Sequence, residues 1–187
     1  MSDEQIGGRI GEVVDFWFDA AAKPYWFQRS DAFDLAVADR LGAHHAAAAG
    51  GACEAWMAQA RGSLALCILL DQVPRNIFRG SPRAFATDAE ARRVSAQAIA
   101  GGHDLSCTVE ERVFLYLPLE HHEDADSQDR SVALFTERVG DALTVRFAER
   151  HREIIRRFGR FPHRNAILGR DSTAEEIAFL QEPNSSF

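Results

Sequence analysis

Three short stretches gather the side chains that could do chemistry. The first is Leu70-Asp71-Gln72-Val73-Pro74-Arg75-Asn76-Ile77-Phe78-Arg79-Gly80. Proline has no N–H and crowds the preceding turn, so a helix must kink or end at Pro74. The carbonyl of residue 70 then loses its normal partner and needs another. If the helix continues, Asp71, Arg75 and Arg79 share one face at i, i+4 and i+8. That face either closes a kinked helix end with an ion pair or forms a polar wall of a pocket, with Asn76 beside it.

The second stretch is Leu117-Pro118-Leu119-Glu120-His121-His122-Glu123-Asp124. Pro118 suits the first turn of a new helix. Such a helix would carry Glu120, Glu123 and Asp124 on one face, where three carboxylates repel unless cations, a metal or protons sit among them. His121 and His122 lie about 100° apart around a helix, so at most one joins that face.

The third stretch runs from His151 through Arg156-Arg157-Phe158-Gly159-Arg160-Phe161-Pro162-His163-Arg164-Asn165 to Leu168-Gly169-Arg170. Seven arginines fall between Arg150 and Arg170. Gly159 is placed as a helix C-terminal cap. Phe158, Phe161, Ile167 and Leu168 would draw the following loop into the core, and with it some of the arginines. A buried guanidinium must be paired. The nearest rich source of carboxylate is the second stretch, so the Glu120–Asp124 segment is expected to pack against the Arg157–Arg164 loop, with Asp71 or Arg75 at the edge.

A histidine beside carboxylates can be tuned for general acid–base work near neutrality, which singles out His121 and His163, with His151 a further candidate. An arginine loop with backbone amides suits a phosphate or carboxylate. In a pocket, Arg160 and Arg164 would hold the anion, Glu120 and Glu123 would orient the histidine or the arginines, and Asp71, Arg75, Asn76 and Asn165 would complete the wall. The competing reading is a buried ion-pair network that fixes helix register. Glu120, Glu123, His121, His151 and His163 would suit zinc, iron or manganese, but the surrounding arginines oppose a dense cationic site. No metal and no cofactor is therefore expected. GxGxxG, P-loop, GxSxG, HExxH and CxxC motifs and the Glu-x-x-His repeats of di-iron bundles are absent.

The elements that must position these motifs read as helices. Strand alternation is scarce. Ile6, Ile10, Val13, Val14, Trp17 and Phe18 form one apolar helical face, with Asp3 as its N-cap. A second helix runs from Asp31 to about Ala49 and stops at Gly50-Gly51. A short helix carries Trp56, and a buried one runs through Leu64, Ile68 and Leu69. Capping boxes at Thr87/Glu90, Thr108/Glu111 and Ser172/Glu175 start later helices, the first of them ending at Gly101-Gly102. Further helices between 127 and 158 carry Leu134, Val139, Leu143 and Phe147. Eight or nine helices in antiparallel pairs result, an all-α array or bundle.

Size and charge set the outer bounds. At 187 residues the chain is expected to fold as a single domain over 1–187, burying roughly 70% of its unfolded surface. A net charge of −7 disfavours nucleic acid and membrane surfaces. Lys23 is the single lysine against twenty arginines; a GC-rich genome accounts for that total, though less well for the clustering. The apolar run Leu64–Leu70 is too short to cross a bilayer. The start Met1-Ser2-Asp3-Glu4 is unlike a signal peptide, and Cys53, Cys67 and Cys107 lack paired spacing. A cytoplasmic protein with free buried thiols is expected.

Together the three stretches resemble a bacterial family known as domain of unknown function 924. The similarity begins at Val14-Asp15-Phe16-Trp17-Phe18 and Trp26-Phe27. It continues through Leu70-Asp71-Gln72, Pro74 to Gly80, Pro118-Leu119-Glu120-His121, Glu123 and Gln128, and ends with Phe158 to Asn165 and Leu168-Gly169-Arg170. That family usually has serine where His122 stands, which weakens a role for His122. The resemblance implies a tetratricopeptide-repeat-like all-α fold and implies no activity. Two readings stay open: a pocket for a small polar or anionic molecule, or a helical module that binds a protein partner through other surfaces.

Overall fold

In a computed structural model of the chain, the described residues are 3–183, 185 and 186, with the side chain of Asp3 outside the description. The cap expected from Asp3 therefore lies outside the described residues. Among those residues there is no strand. Nine α-helical segments form: α1 (Asp3–Trp17), α2 (Asp31–Ala49), α3 (Ala60–Cys67), α4 (Val73–Ile77), α5 (Asp88–Ala100), α6 (Val109–Glu120), α7 (Ala125–Leu134), α8 (Ala142–Phe158) and α9 (Ala174–Phe179). A π-helical turn, Ile68–Gln72, joins α3 and α4 into one rod, so eight helices result. Among the described residues no helix is long and apolar enough to cross a membrane.

That rod is the centre of the fold. Every residue from Gly62 to Pro74 is buried, as expected for a helix hydrophobic all round. Helices α1, α2, α5 and α6 all pack on it, and α7 and α8 follow against α6. Trp17 of α1 meets Phe114 of α6 edge-on at 5.7 Å. A satellite cluster of Ile154, Ile155, Phe161 and Phe179 sits under α9. The cysteines are free and buried.

Pro74 does disturb the rod. The Val73 N–H reaches back five residues to the Ile68 carbonyl. Three successive carbonyls are then taken by side chains. His45 Nδ1 of α2 meets the Leu69 oxygen at 2.8 Å, Thr87 donates to Leu70 at 2.6 Å, and Arg75 Nη1 donates to Asp71 at 2.5 Å. The orphan carbonyl of residue 70 expected from the sequence thus finds its partner in Thr87. The same contact overturns the Thr87/Glu90 capping box, because the hydroxyl is turned into the rod and Glu90 pairs with Arg93 instead.

The Thr108/Glu111 box forms as expected. The last box forms one residue later, at Thr173/Glu176. Ser172 instead accepts from Asn165 Nδ2 at 3.0 Å, and Glu175 pairs with Arg157. Pro118 starts no helix: α6 runs through it to Glu120, and α7 starts after Asp124, whose carboxylate accepts from Ser127 N at 2.8 Å. The break between Glu120 and Asp124 removes the expected single face of three carboxylates. Gly159 ends α8 in the left-handed region, at φ 70°. Leu143 and Phe147 are exposed rather than packed, because the buried face of α8 is Ala148, His151, Ile154 and Ile155.

The first turn of α3 approaches the Trp56 carbonyl so closely that a Cβ on Gly62 would lie 2.1 Å from its oxygen. Gly62→Ala is expected to destabilise the fold by about 2–3 kcal/mol, the cost of overpacking against backbone. Gly42, inside α2 with nothing within 4 Å of a Cβ, is the control: Gly42→Ala should add about 0.5–1 kcal/mol. Urea denaturation of both variants checks the pair, and equal midpoints would refute the close approach.

Candidate functional site

Six segments bring polar groups to one place. The π turn carries Asp71, and α4 carries Arg75. The start of α5 carries Asp88. The end of α6 carries Glu120 and His121, followed by Glu123. Helix α8 carries His151, and the turn at Gly159 folds Phe161, His163 and Arg164 back over it.

Asp71 is buried. Both its oxygens lie 2.9 Å from His121 Nδ1, and it accepts from Gln72 Nε2 at 2.5 Å and from Arg75 at 3.2 Å. Burial works against its charge, but Arg75 and His121 outweigh that cost and hold the carboxyl well below the usual range. Arg75 also forks onto Asp88 at 2.9 and 3.0 Å. Asp88 in turn takes Arg164 Nη1 at 3.3 Å. Arg164 is 6% exposed. Its guanidinium is stacked between Phe85 and Phe161, 4.7 and 4.6 Å from the ring centres. Burial, together with the neighbouring Arg75 cation, lowers its pKa to about 10.

Glu120 behaves differently. Burial pushes its carboxyl up to about 8, and the Asp71 charge adds to the effect. Its Oε1 lies 3.1 Å from His151 Nδ1, which also meets the Phe147 carbonyl at 2.9 Å. Burial lowers His151 to about 3 and His163 to about 4, and it lowers His121 as well. These imidazoles are neutral at pH 7.

The acidic segment does pack against the arginine loop, through Glu123. Its Oε1 accepts from the Phe161 N–H at 2.8 Å, while Arg170 clamps the carboxylate at 2.7 and 3.0 Å. The partner arginine is thus Arg170, beyond the predicted loop.

Of the residues expected in a site, Asp71, Arg75, Glu120, His121, Glu123 and Arg164 converge, and His163 lies alongside, its ring 5.7 Å from Phe161. Three do not converge. Asn76 donates to Asp34 of α2 at 2.7 Å. Arg160 forks onto Glu176 of α9 at 2.7 and 2.8 Å. Asn165 is buried against Ser172 and Glu176. Asn76 thus ties α4 to α2, while Arg160 and Asn165 fasten the loop to Ser172 and α9. Asp88, Phe85 and Arg170 are the participants that sequence reasoning did not place. Asp88 stands in the first turn of α5 beside Thr87, and no spacing rule links it to Arg75 or Arg164.

A cavity of about 430 Å³ opens over this constellation. Phe85, Asp88, His121, Glu123 and Arg164 are in its wall, together with His122. Among the described residues Arg164 Nε has no hydrogen-bond partner. A guanidinium has five N–H donors, and here a single one meets a carboxylate.

The model of the bacterial family of unknown function DUF924 matches residues 13–184. The chain belongs to that family. This DUF924 chain is also similar to a solved structure of a protein of unknown function, ATU0120, from Agrobacterium tumefaciens. The two share 44% identity with a TM-score of 0.90, over 95% of this chain and 99% of the other. No curated protein matches this DUF924 chain.

The buried imidazoles make stability depend on pH. Their ordinary value is 6.5, and in the fold His151 and His163 sit near 3 and 4. Unfolded chains take up these protons first, so stability is complete above pH 6.5 and is lost as pH falls toward the folded values. Glu120 runs the other way: raised from 4.5 to about 8, it contributes below pH 4.5 and loses that contribution as pH climbs through 8. The histidines outnumber it, so urea stability should fall by on the order of 2 kcal/mol between pH 6.5 and 5. A midpoint that holds or rises on acidification would contradict the buried neutral state.

Proposed function

We propose that the cavity binds a small molecule through an anionic group, a carboxylate or phosphate. The observation that carries this reading is Arg164. A guanidinium this deeply buried usually has its charge matched and its donors filled. Here the one carboxylate it meets is shared with Arg75, which holds that carboxylate by two shorter bonds. An oxyanion entering beside Phe85 would fill the remaining donors. Stacking between two rings fixes the guanidinium plane, which suits a forked contact to a planar or tetrahedral oxyanion. Phe85 and Leu168 supply apolar wall for the rest of the ligand, and His121 presents a neutral imidazole whose orientation is set by Asp71.

A second reading keeps the domain as an interaction module. It draws on a shallow groove of about 910 Å³ between α1 and α2, lined in part by Phe16, Tyr25 and Phe33. Phe27, two residues from Tyr25, is 73% exposed.

The anion reading is tested by thermal unfolding with inorganic phosphate, malonate and citrate, on wild type and Arg164→Met. Saturation at a hundredfold excess over Kd would stabilise by about 2.7 kcal/mol, or roughly 5–10 °C in Tm. Arg164→Met keeps the aromatic stack filled and leaves Asp88 paired with Arg75, so it should fold and lose that shift. If no anion raises wild-type Tm, or if the variant responds equally, the reading fails.

A further inference from the structure

Next to the cavity lies a second constellation, which shares only His121 with the anion site. Glu120, His121 and His151 each offer one ligand atom, and these atoms lie within 4.8 Å of one another. Glu120 and His151 are buried, with side chains 4% and 6% exposed, and neither lines the cavity. His121 faces both places.

The surroundings of these three residues have the order that metal sites require. Metal-binding histidines donate one ring N–H to a carboxylate or carbonyl, which fixes the tautomer and leaves the other nitrogen as the ligand. His121 has Asp71 on its Nδ1 at 2.9 Å, and His151 has the Phe147 carbonyl on its Nδ1 at 2.9 Å. In His121 Nε2 is then the nitrogen with the lone pair, while His151 Nδ1 lies between the Phe147 carbonyl and Glu120 Oε1, 3.1 Å away. The third member carries the independent sign. Glu120 Oε2 is fully buried and has no hydrogen-bond partner among the described residues. A buried carboxyl oxygen without a donor is costly and demands an explanation.

The arginine-rich stretch is expected to oppose a cation here, and carboxylates elsewhere take up most of its charge. Arg156 pairs with Asp129, Arg157 with Glu175, Arg160 with Glu176 and Arg170 with Glu123. Arg75 and Arg164 are the cations left nearby, and both meet Asp88, while Arg75 also meets Asp71.

We propose that Glu120, His121 and His151 bind a divalent transition metal, with zinc the best fit, as a three-ligand site. Asp71 acts as a positioning residue through His121. Two imidazoles and one carboxylate leave a coordination position open, as in hydrolytic zinc sites. The His121 side faces the cavity. The inference goes beyond anion binding; the two share His121 but turn on different groups, Arg164 and Glu120, so either can fail alone.

The test uses the full chain. Wild type is incubated with Zn2+, desalted and assayed for retained metal, and the visible d–d spectrum is recorded after Co2+ loading. A single tightly held zinc per chain and a low-symmetry cobalt spectrum are expected. Glu120→Gln should weaken zinc binding a hundredfold or more, and Asp71→Asn, which touches no metal, roughly ten- to a hundredfold. Circular dichroism confirms that each variant is folded. Should Glu120→Gln fail to fold, the wild-type cobalt spectrum and its change in Asp71→Asn decide the matter. No retained zinc in wild type overturns the site. So does unchanged binding in folded Glu120→Gln, which would place the metal on surface histidines such as His44. Arg164→Met should bind zinc as wild type does, whatever its response to anions.

Discussion

The structure depends on what happens to three backbone carbonyls. A helix buried on all sides cannot turn its free carbonyls toward water, and Pro74 takes away a donor in the middle of such a helix. Widening the preceding turn leaves Leu69, Leu70 and Asp71 with oxygens to satisfy. Side chains from three places do so: His45 from α2, Thr87 from the head of α5, and Arg75 from the rod itself. Each contact fixes a neighbour against the centre. Thr87 in particular sets where Asp88 stands, and Asp88 is the carboxylate that Arg75 and Arg164 share. A local defect in one helix thereby sets the positions of half of the polar constellation.

The other half depends on the Gly159 turn and on Glu123. Glu123 sits in the break between α6 and α7, where its carboxylate holds both the Phe161 N–H and Arg170. Without it the loop would have to bury an unpaired amide beside a stacked guanidinium. The acidic and basic stretches meet, but by one carboxylate rather than a row of them. Glu120, left without an arginine, turns instead to a histidine.

Features governed by neighbours in the chain were legible in the residues. Both ends of α2, the Thr108/Glu111 cap, the turn at Gly159 and the orphaned carbonyl of residue 70 are of this kind, since each is fixed by a few adjacent residues. Misreadings arose where two local solutions were nearly equal and a distant contact chose between them. Ser172/Glu175 and Thr173/Glu176 both spell a capping box; Asn165, Arg157 and Arg160 select the second. Thr87 could cap its own helix, but the rod's carbonyl makes the stronger claim because it is buried. Pro118 could open a helix, yet the packing of α6 carries it inside one. The membership of the site was half legible: Asp71, Glu120, His121 and Arg164 were visible as candidates, whereas Asp88 and Arg170 are joined to them by contacts that no spacing encodes.

The loop that carries Arg164 is anchored very unevenly. Its inner end is held by aromatic stacking and by Glu123, but its outer end rests on a satellite of four buried side chains and on ion pairs to α9. The Arg157–Glu175 pair is about half exposed and is weakened by salt. The low-stability end of the molecule therefore lies beside its most polar interior. Opening there would release α9 and the loop as one cooperative unit while the central rod stays closed. Amide exchange across residues 159–180 would then quicken with ionic strength, with exchange in α3 unaffected. Solute access to the interior would follow the strength of a surface ion pair rather than the stability of the whole fold.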